Sequence, residues 1–387
     1  MMTPLIFNKV IIVSHVLGTV PFADLEKFLL EKKLEQLLVI SHPLLAEAQP
    51  QGSLLKQYHH QHLTRQSNFK LPFFTPPVSF IFDFFLTLWW IISTQQKWQV
   101  MVGLNNLSVL AGLCLRKLGL VEKVVYYTID FTPERFSQHW LNEGYHWLDK
   151  WCVKHADMTW NVSPRIAEGR EKIRGLAQAE YPRQVVVSIG VWLDRIQDYL
   201  TQPRKKHHIV YAGGLAPHQG VETLLRSLPR VLKTIPDVTL TVIGSGQQQQ
   251  FLNELAIELG INEHVEFTGY LAHHHQVEEK LCTGELAIAM YNKTFDRWSK
   301  YADPSKMKSY LACGLPIITT NVTYMGAVLE KNECGVVIKD DSEVLAQTII
   351  KVLRNREQLK TWRKNALQLA VAYDWRNIYQ TAFNTLI

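Results

Sequence analysis

Residues 208–246 read HIVYAGGLAPHQGVETLLRSLPRVLKTIPDVTLTVIGSG, and the fold of the chain turns on them. The opening HIVYA is a short apolar strand that runs into Gly213-Gly214. Apolar positions then recur at helical spacing from about Val221 to Thr234, and Val238–Ile243 is a second strand stopped by Gly244-Ser245-Gly246. Strand, glycine turn, helix and strand make a βαβ unit, whose parallel sheet is covered on both faces. The pattern continues with a helix over Gln250–Leu259 and strands at Val265–Phe267 and Leu286–Met290. A helix over Lys306–Ala312 stops at Gly314, strands follow at Pro316–Thr320 and Val336–Ile338, and helices at Glu343–Arg354 and Arg356–Tyr373 close the series.

The first half repeats this less cleanly. Strands are predicted at Lys9–Ser14, Gln36–Ile40, Gln99–Gly103, Val124–Thr128, Met158–Val162 and Val185–Ile189. Helices are predicted at Ala23–Lys33, Pro77–Gln96, Leu107–Leu118 and Trp140–His155. The fold class is therefore α/β, with two Rossmann-like, doubly wound parallel-sheet domains. Residues 1–197 form the first domain and 208–373 the second. The polar stretch 198–207 (DYLTQPRKKH), with its proline and run of basic residues, reads as the linker.

Size and composition agree with two folded domains. At 387 residues the chain exceeds one ordinary core, given about 150 residues per domain. The net charge of +6 is shared evenly between the halves, without the basic block that marks many nucleic-acid binders. A mild positive balance suits anionic small ligands or an anionic membrane surface. The five cysteines are scattered and form no C-x-x-C pair, which argues against a disulfide framework or zinc site and fits a reducing cytoplasm. Val10–Val13 is too short for the core of a signal peptide. Val78–Ile92 (VSFIFDFFLTLWWII) carries one charge, Asp83, and falls short of the roughly 18 residues that span a bilayer. It reads either as a helix packed on a sheet or as an interfacial patch in which Trp89, Trp90 and the phenylalanines meet headgroups.

In an open parallel sheet, ligands bind beyond the carboxyl ends of the strands. Gly213-Gly214 lets the backbone approach an anion there, and Gly244-Ser245-Gly246 offers a similar turn. The latter is not the dinucleotide G-x-G-x-x-G, because Gln249 holds its last place, so nicotinamide chemistry is disfavoured. Asp303-Pro304-Ser305-Lys306 precedes the helix ending in Tyr310-Leu311-Ala312-Cys313-Gly314, with Ser305 as its expected N-cap. Lys306 in the first turn opposes the helix macrodipole, a conflict that a bound anion would remove; a solvated lysine is the plainer alternative. His273-His274-His275 cannot all face one ion from consecutive positions, so a solvated loop is expected and no metal site.

Taken in order and spacing, HIVYAGGLAPHQGVETLL, VTLTVIGSG, VEFTGYL and SYLACGLPIITT resemble the donor-binding domain of GT-B glycosyltransferases, most of all the retaining group called family 4. The resemblance covers about residues 209–384, with a looser echo in VVYYTIDF, HADMTWNVS and VVVSIGVWLD of the first half. It implies two domains facing across a cleft, a nucleotide-sugar donor and metal-independent transfer without a further cofactor. It also implies a terminal segment, residues 374–387, that crosses back to the first domain.

The departures are specific. The family's Arg and Lys of the phosphate loop fall here at Gly214 and Gln219, and its two glutamates at Tyr301 and Ser309. A branch of bacterial surface-polysaccharide transferases, with Pro-x-Lys ahead of the Tyr-Leu-Ala-x-Gly-x-Pro run, is more similar. That comparison assigns the diphosphate to Gly213, Gly214, Ser305 and Lys306, with Arg297, Lys300, Lys308 and His218 in reserve. Gly244, Gly269, Tyr270, Asp303 and Ser309 are the candidates for nucleoside and sugar.

In the first domain Asp130, after the strand Val124–Thr128, is the candidate to hold or deprotonate an acceptor hydroxyl. The family often has histidine beside it, where this chain has Ile129, and capping of the next turn is the alternative. His15 is the second catalytic candidate, with Leu17-Gly18-Thr19 in place of the family's acceptor loop. The expected function is sugar transfer to a saccharide or lipid-linked acceptor in surface glycan synthesis, in the cytoplasm or at the inner face of the membrane. The alternatives are a non-catalytic sugar-binding or scaffold protein and a sugar-nucleotide epimerase.

Overall fold

The computed structural model describes residues 5–15, 20–43, 52–70, 76–181, 183–292 and 299–387. The chain divides into one unit of residues 1–188 and 378–387, and a second of residues 189–377. The first unit is built on an eight-stranded sheet of order β4-β3-β2-β1-β5-β6-β7-β8. Its strands are β1 (Lys9–Ser14), β2 (Gln36–Ser41), β3 (Ser53–His59), β4 (His62–Phe69), β5 (Trp98–Gly103), β6 (Val121–Thr128), β7 (Met158–Asn161) and β8 (Gln184–Val186). Its helices are α1 (Val20–Glu31), α2 (Pro76–Ile92), α3 (Asn106–Lys117), α4 (His139–His155) and α5 (Pro164–Arg174).

The sheet is parallel except at one edge. There β3 and β4 form an antiparallel hairpin that the periodicity did not announce. Its turn residues His60 and Gln61 both take positive φ, at 44° and 75°, without the glycine or asparagine that usually marks such a turn. Helix α5 was also unforeseen, although Ser163 caps it by accepting from the Arg165 N–H and Pro164 opens it. Tyr379, in the returning C-terminal segment, donates to the Pro21 carbonyl at 2.7 Å and packs on Phe28.

The second unit has a six-stranded parallel sheet of order β11-β10-β9-β12-β13-β14. Its strands are β9 (His208–Ala212), β10 (Thr239–Ile243), β11 (Val265–Gly269), β12 (Leu286–Ala289), β13 (Ile317–Thr320) and β14 (Gly335–Ile338). Its helices are α6 (Gln197–Leu200), α7 (Val221–Thr234), α8 (Gln249–Glu258), α9 (His274–Cys282), α10 (Ser305–Ala312), α11 (Met325–Lys331), α12 (Ser342–Arg354) and α13 (Arg356–Ala370). A last helix, α14 (Trp375–Asn384), begins here and ends among residues of the first unit. Leu224, Leu225, Leu228 and Val231 of α7 are buried with Leu240 and Val242 of β10 in the core on one face of the sheet. Stretch 198–207 lies wholly within this unit rather than between the two. The Arg204 guanidinium donates to the Gly284 and Cys313 carbonyls, so side-chain hydrogen bonds dock a segment whose composition reads as a linker.

Candidate functional site

The carboxyl ends of β9 and β10 carry the two glycine turns, and the turns hold each other. Gly213 N–H donates to Ile243, Leu215 N–H to Ser245, Gln248 N–H to Leu215 and Gly244 N–H to Gly269. A Cβ on Gly244, whose φ is +135°, would lie 2.0 Å from the Gly213 oxygen. Gly244 and Gly269 thus set the approach of neighbouring turns, and the N–H of Gly244 is already used. Gly214 is the open point: nothing lies within 4 Å of where its Cβ would sit, and its N–H donates to no described residue.

Lys306 reaches this turn from α10. An ideal Cβ on Gly213 (φ +148°) would stand 3.0 Å from the Lys306 ammonium and 3.2 Å from the Tyr211 hydroxyl, so a larger residue would crowd the place the ammonium occupies. The Lys306 Nζ donates to Tyr211 Oη at 3.2 Å and to Gln219 Oε1, and sits 4.6 Å and 5.2 Å from the ring centroids of Tyr211 and Tyr291. Gln219 accepts from a lysine delivered by another element. No carboxylate pairs with this cation among the described residues, and burial pushes its pKa down to about 7. The site therefore holds a buried amine whose charge meets no counter-ion among the described residues.

The start of α10 corrects one expectation and pairs two further candidates. Pro304, not Ser305, is the N-cap; Ser305 is the first helical residue, exposed, and makes no side-chain cap. Asp303 and Lys308, expected as a donor contact and a reserve cation, are bound to each other with both side chains fully buried. Asp303 also accepts from Tyr324 Oη at 2.9 Å and from the Ile189 N–H at 2.6 Å. Burial holds the Lys308 pKa below its ordinary value, with Asp303 opposing that shift. This pair anchors the helix start and leaves Lys306 as the cation beside the glycine turn. Lys300 stands over the Tyr301 ring, and Arg297 lies outside the described residues.

A cavity of about 200 Å³ opens beside α10, lined by Gln219, Tyr291, Ser299, Ala302, Asp303, Pro304, Ser305, Lys306 and Thr323. Thr323 is the residue that sequence reasoning missed. Its Oγ1 is buried with no hydrogen-bond partner among the described residues, a costly state for a hydroxyl unless a ligand or water completes it. A lone threonine after a strand carries no pattern that could have flagged it. Gly244, Gly269, Tyr270, Ser309 and His218 do not line this cavity, and Tyr270 is 74% exposed.

In the first unit Asp130 and His15 follow β6 and β1 at the carboxyl edge of the sheet. Asp130 is exposed and paired with Arg135, whose guanidinium lies 4.9 Å from the Tyr145 ring centroid. It caps no helix. His15 is buried: Asn105 Nδ2 donates to its Nδ1 at 2.9 Å, and its Nε2 faces Asp83 Oδ2 at 3.7 Å. Burial pushes its pKa down to about 3, the neighbouring His42 adding to the effect while Asp83 and Asn105 oppose it. His15 thus belongs to a buried polar cluster with His42 and Asp83. Leu17-Gly18-Thr19 lies outside the described residues. His274 and His275 open helix α9 instead of forming a loop, and the described residues contain no group of three metal-ligating side chains.

Residues 194–369 match the family described as Glycosyl transferases group 1. A glycogen synthase of Mycobacterium tuberculosis is 24% identical over 243 residues, which cover 62% of this chain and 56% of the relative. A phosphatidyl-myo-inositol mannosyltransferase of Mycobacterium leprae is 26% identical over 183 residues, 45% of this chain and 44% of its own length. The chain thus spans about half the length of these curated relatives. Among solved structures, HepE of Anabaena in complex with UDP and glucose aligns over 98% of this chain and 99% of its own, with a TM-score of 0.68 at 14% identity. That likeness concerns the fold: two Rossmann-like domains of the GT-B class.

Proposed function

We propose, from the premise that this is a GT-B chain whose residues 194–369 belong to the glycosyl transferases group 1, that it moves a sugar from a nucleotide-sugar donor to a saccharide or lipid-linked acceptor. The observation that carries the reading is the unpaired Lys306 ammonium set against Gly213, beside a cavity that also holds the unsatisfied Thr323 hydroxyl. Cleavage of a sugar–phosphate bond leaves negative charge on the departing diphosphate. Preorganised cations and N–H groups stabilise that charge, each good donor contributing about 3 kcal/mol. In this reading Lys306 supplies the cation, while Gly214 N–H and the first-turn N–H groups of Ser305 and Lys306 complete the cradle. The transfer is metal-independent and retaining, as the family resemblance implies.

For the acceptor we assign Asp130 the task of holding the hydroxyl, in exchange for Arg135, and His15 that of ordering the strand end. A cytoplasmic surface-glycan pathway is the setting that fits this assignment. The test is thermal unfolding with UDP or GDP. Wild type gains stability with at least one of them, and Lys306→Ala loses most of the gain. No shift with any nucleoside diphosphate would sink the reading.

A second reading, a non-catalytic sugar binder, is favoured by the Asp130–Arg135 pairing and by Tyr301 and Ser309 standing where the family has glutamates. Turnover separates the two. Labelled sugar nucleotides offered to protein plus membranes yield labelled lipid-linked product under the first reading and none under the second.

A further inference from the structure

Helix α2 has two faces of opposite character. Asp83, Thr87, Trp90 and Ile91 point into the first unit and are buried. On the other side Val78, Ile81, Phe85, Trp89 and Ile92 are exposed, Phe85 by 60% and Trp89 by 58%. At about 100° per residue those five positions fall within a stripe of roughly 80° along the whole helix. The neighbouring strand β4 extends the patch: Phe69 stacks on Phe82 at 5.7 Å, and Leu63 and Phe69 are themselves exposed. Single exposed apolar residues need no explanation, but an ordered stripe of aromatic and β-branched side chains does.

The charges around the stripe identify what covers it. Between residues 52 and 97 the only carboxylate is Asp83, which is buried and turned away. Lys56 is neutralised by Glu26, but Arg65, Lys70 and Lys97 form no ion pair with any described residue. Arg65 reaches Ser93 Oγ at 3.5 Å, which places it at the C-terminal end of the stripe. Lys70 follows Phe69, and Lys97 follows the helix. A second copy docking here through a two-fold axis would set this patch, with its cations and no exposed carboxylate of its own, against another of the same charge. Anionic headgroups would neutralise them instead, while Trp89 and Phe85 enter the headgroup boundary. No helix among the described residues is long and apolar enough to cross a membrane.

We propose that the exposed face of α2, with the adjoining end of β4, is a docking surface for an anionic lipid bilayer. It is independent of the donor pocket and goes beyond the transfer reaction. The experiment is co-sedimentation of the full chain with vesicles of phosphatidylcholine alone and of phosphatidylcholine mixed with phosphatidylglycerol. Wild type binds the mixed vesicles, more weakly as salt rises. The double variant Phe85→Ser, Trp89→Ser weakens binding on the order of a hundredfold, since each large apolar side chain leaving the interface removes about tenfold. Arg65→Gln with Lys70→Gln selectively lowers the preference for the anionic mixture. Both variants keep the wild-type unfolding midpoint and its response to UDP or GDP, so a failed donor site and a failed docking surface give different results. Equal sedimentation of wild type and the Phe85/Trp89 variant overturns the proposal. So does failure of wild type to sediment with anionic vesicles, or a wild-type dimer that the variant dissociates.

Discussion

If Lys306 is an ammonium waiting for an anion, donor binding must respond to pH in a particular sense. Without ligand its pKa lies at about 7 against an ordinary 10.5, because burial penalises the charge and no carboxylate of a described residue offsets it. That depression is worth roughly 5 kcal/mol, at 1.36 kcal/mol per unit. A bound diphosphate supplies the missing counter-charge and returns the pKa toward its ordinary range. Near pH 7 about half of the empty sites carry the proton, so binding takes up about half a proton there and nearly one at pH 8.5. Deprotonation of the empty site competes with binding, so affinity falls as pH rises. The dissociation constant for UDP then increases on the order of fifteenfold between pH 7 and 8.5.

Stability runs the other way. Between about pH 7 and 10.5 the unfolded lysine holds a proton that the folded one has released. The second unit without ligand therefore gains stability as pH rises through that window. Titration calorimetry in HEPES and in Tris, whose protonation heats differ, measures affinity and proton uptake together. In Lys306→Met, which keeps an apolar stem against Tyr211 and Tyr291, both slopes disappear and UDP binds weakly at every pH. A flat wild-type affinity from pH 7 to 8.5 without proton uptake, or the same slope in Lys306→Met, refutes the reasoning.

Three further outcomes follow from the same site. Asp303→Asn leaves the fully buried Lys308 without its partner and lowers the denaturant-unfolding free energy of the second unit by about 3 kcal/mol; the double variant Asp303→Asn, Lys308→Met recovers most of it. Thr323→Val keeps the shape and removes a hydroxyl that pairs with no described residue, so stability holds or rises, while UDP affinity drops by about fivefold to tenfold. Gly244→Ala forces a methyl against the Gly213 oxygen at positive φ and costs about 2 kcal/mol or more in thermal stability, with loss of the UDP response as the turns part.

The second unit was legible because its sequence repeats one physical statement: an apolar strand, a small turn, an amphipathic helix. Leu224, Leu225, Leu228 and Val231 announce α7, and the structure buries all four. The hairpin of β3 and β4 escaped because β4 is exposed along almost its whole length, so no face of it is apolar enough to set a period. Its turn conceals itself as well, with positive φ carried by histidine and glutamine. The linker misled for a different reason. Lys205 and Lys206 are exposed, as the composition suggests, yet Arg204 between them and Pro203 satisfies two carbonyls. A run of basic residues says nothing of which one finds partners.

The site was legible where a charge sat in the wrong electrostatic place and illegible where charges were correctly paired. Lys306 could be singled out because a cation in a first helical turn opposes the macrodipole. Lys308, two residues on, looked equivalent in the sequence, but its partner Asp303 lies five residues back across the helix start, and the pair vanishes into the interior. The two lysines therefore divide the work, one fixing the helix and the other charging the turn. Glutamine at 219 suits this geometry, accepting from the Lys306 ammonium. Gly213 leaves room for one ammonium beside the turn, and a lysine at 219 would compete with Lys306 for that space while repelling its charge. On this account Gln219→Lys, far from restoring a lost contact, weakens UDP binding in the presence of Lys306 and improves it in Lys306→Met. A Gln219→Lys protein that binds UDP more tightly than wild type would show that the two positions add rather than substitute.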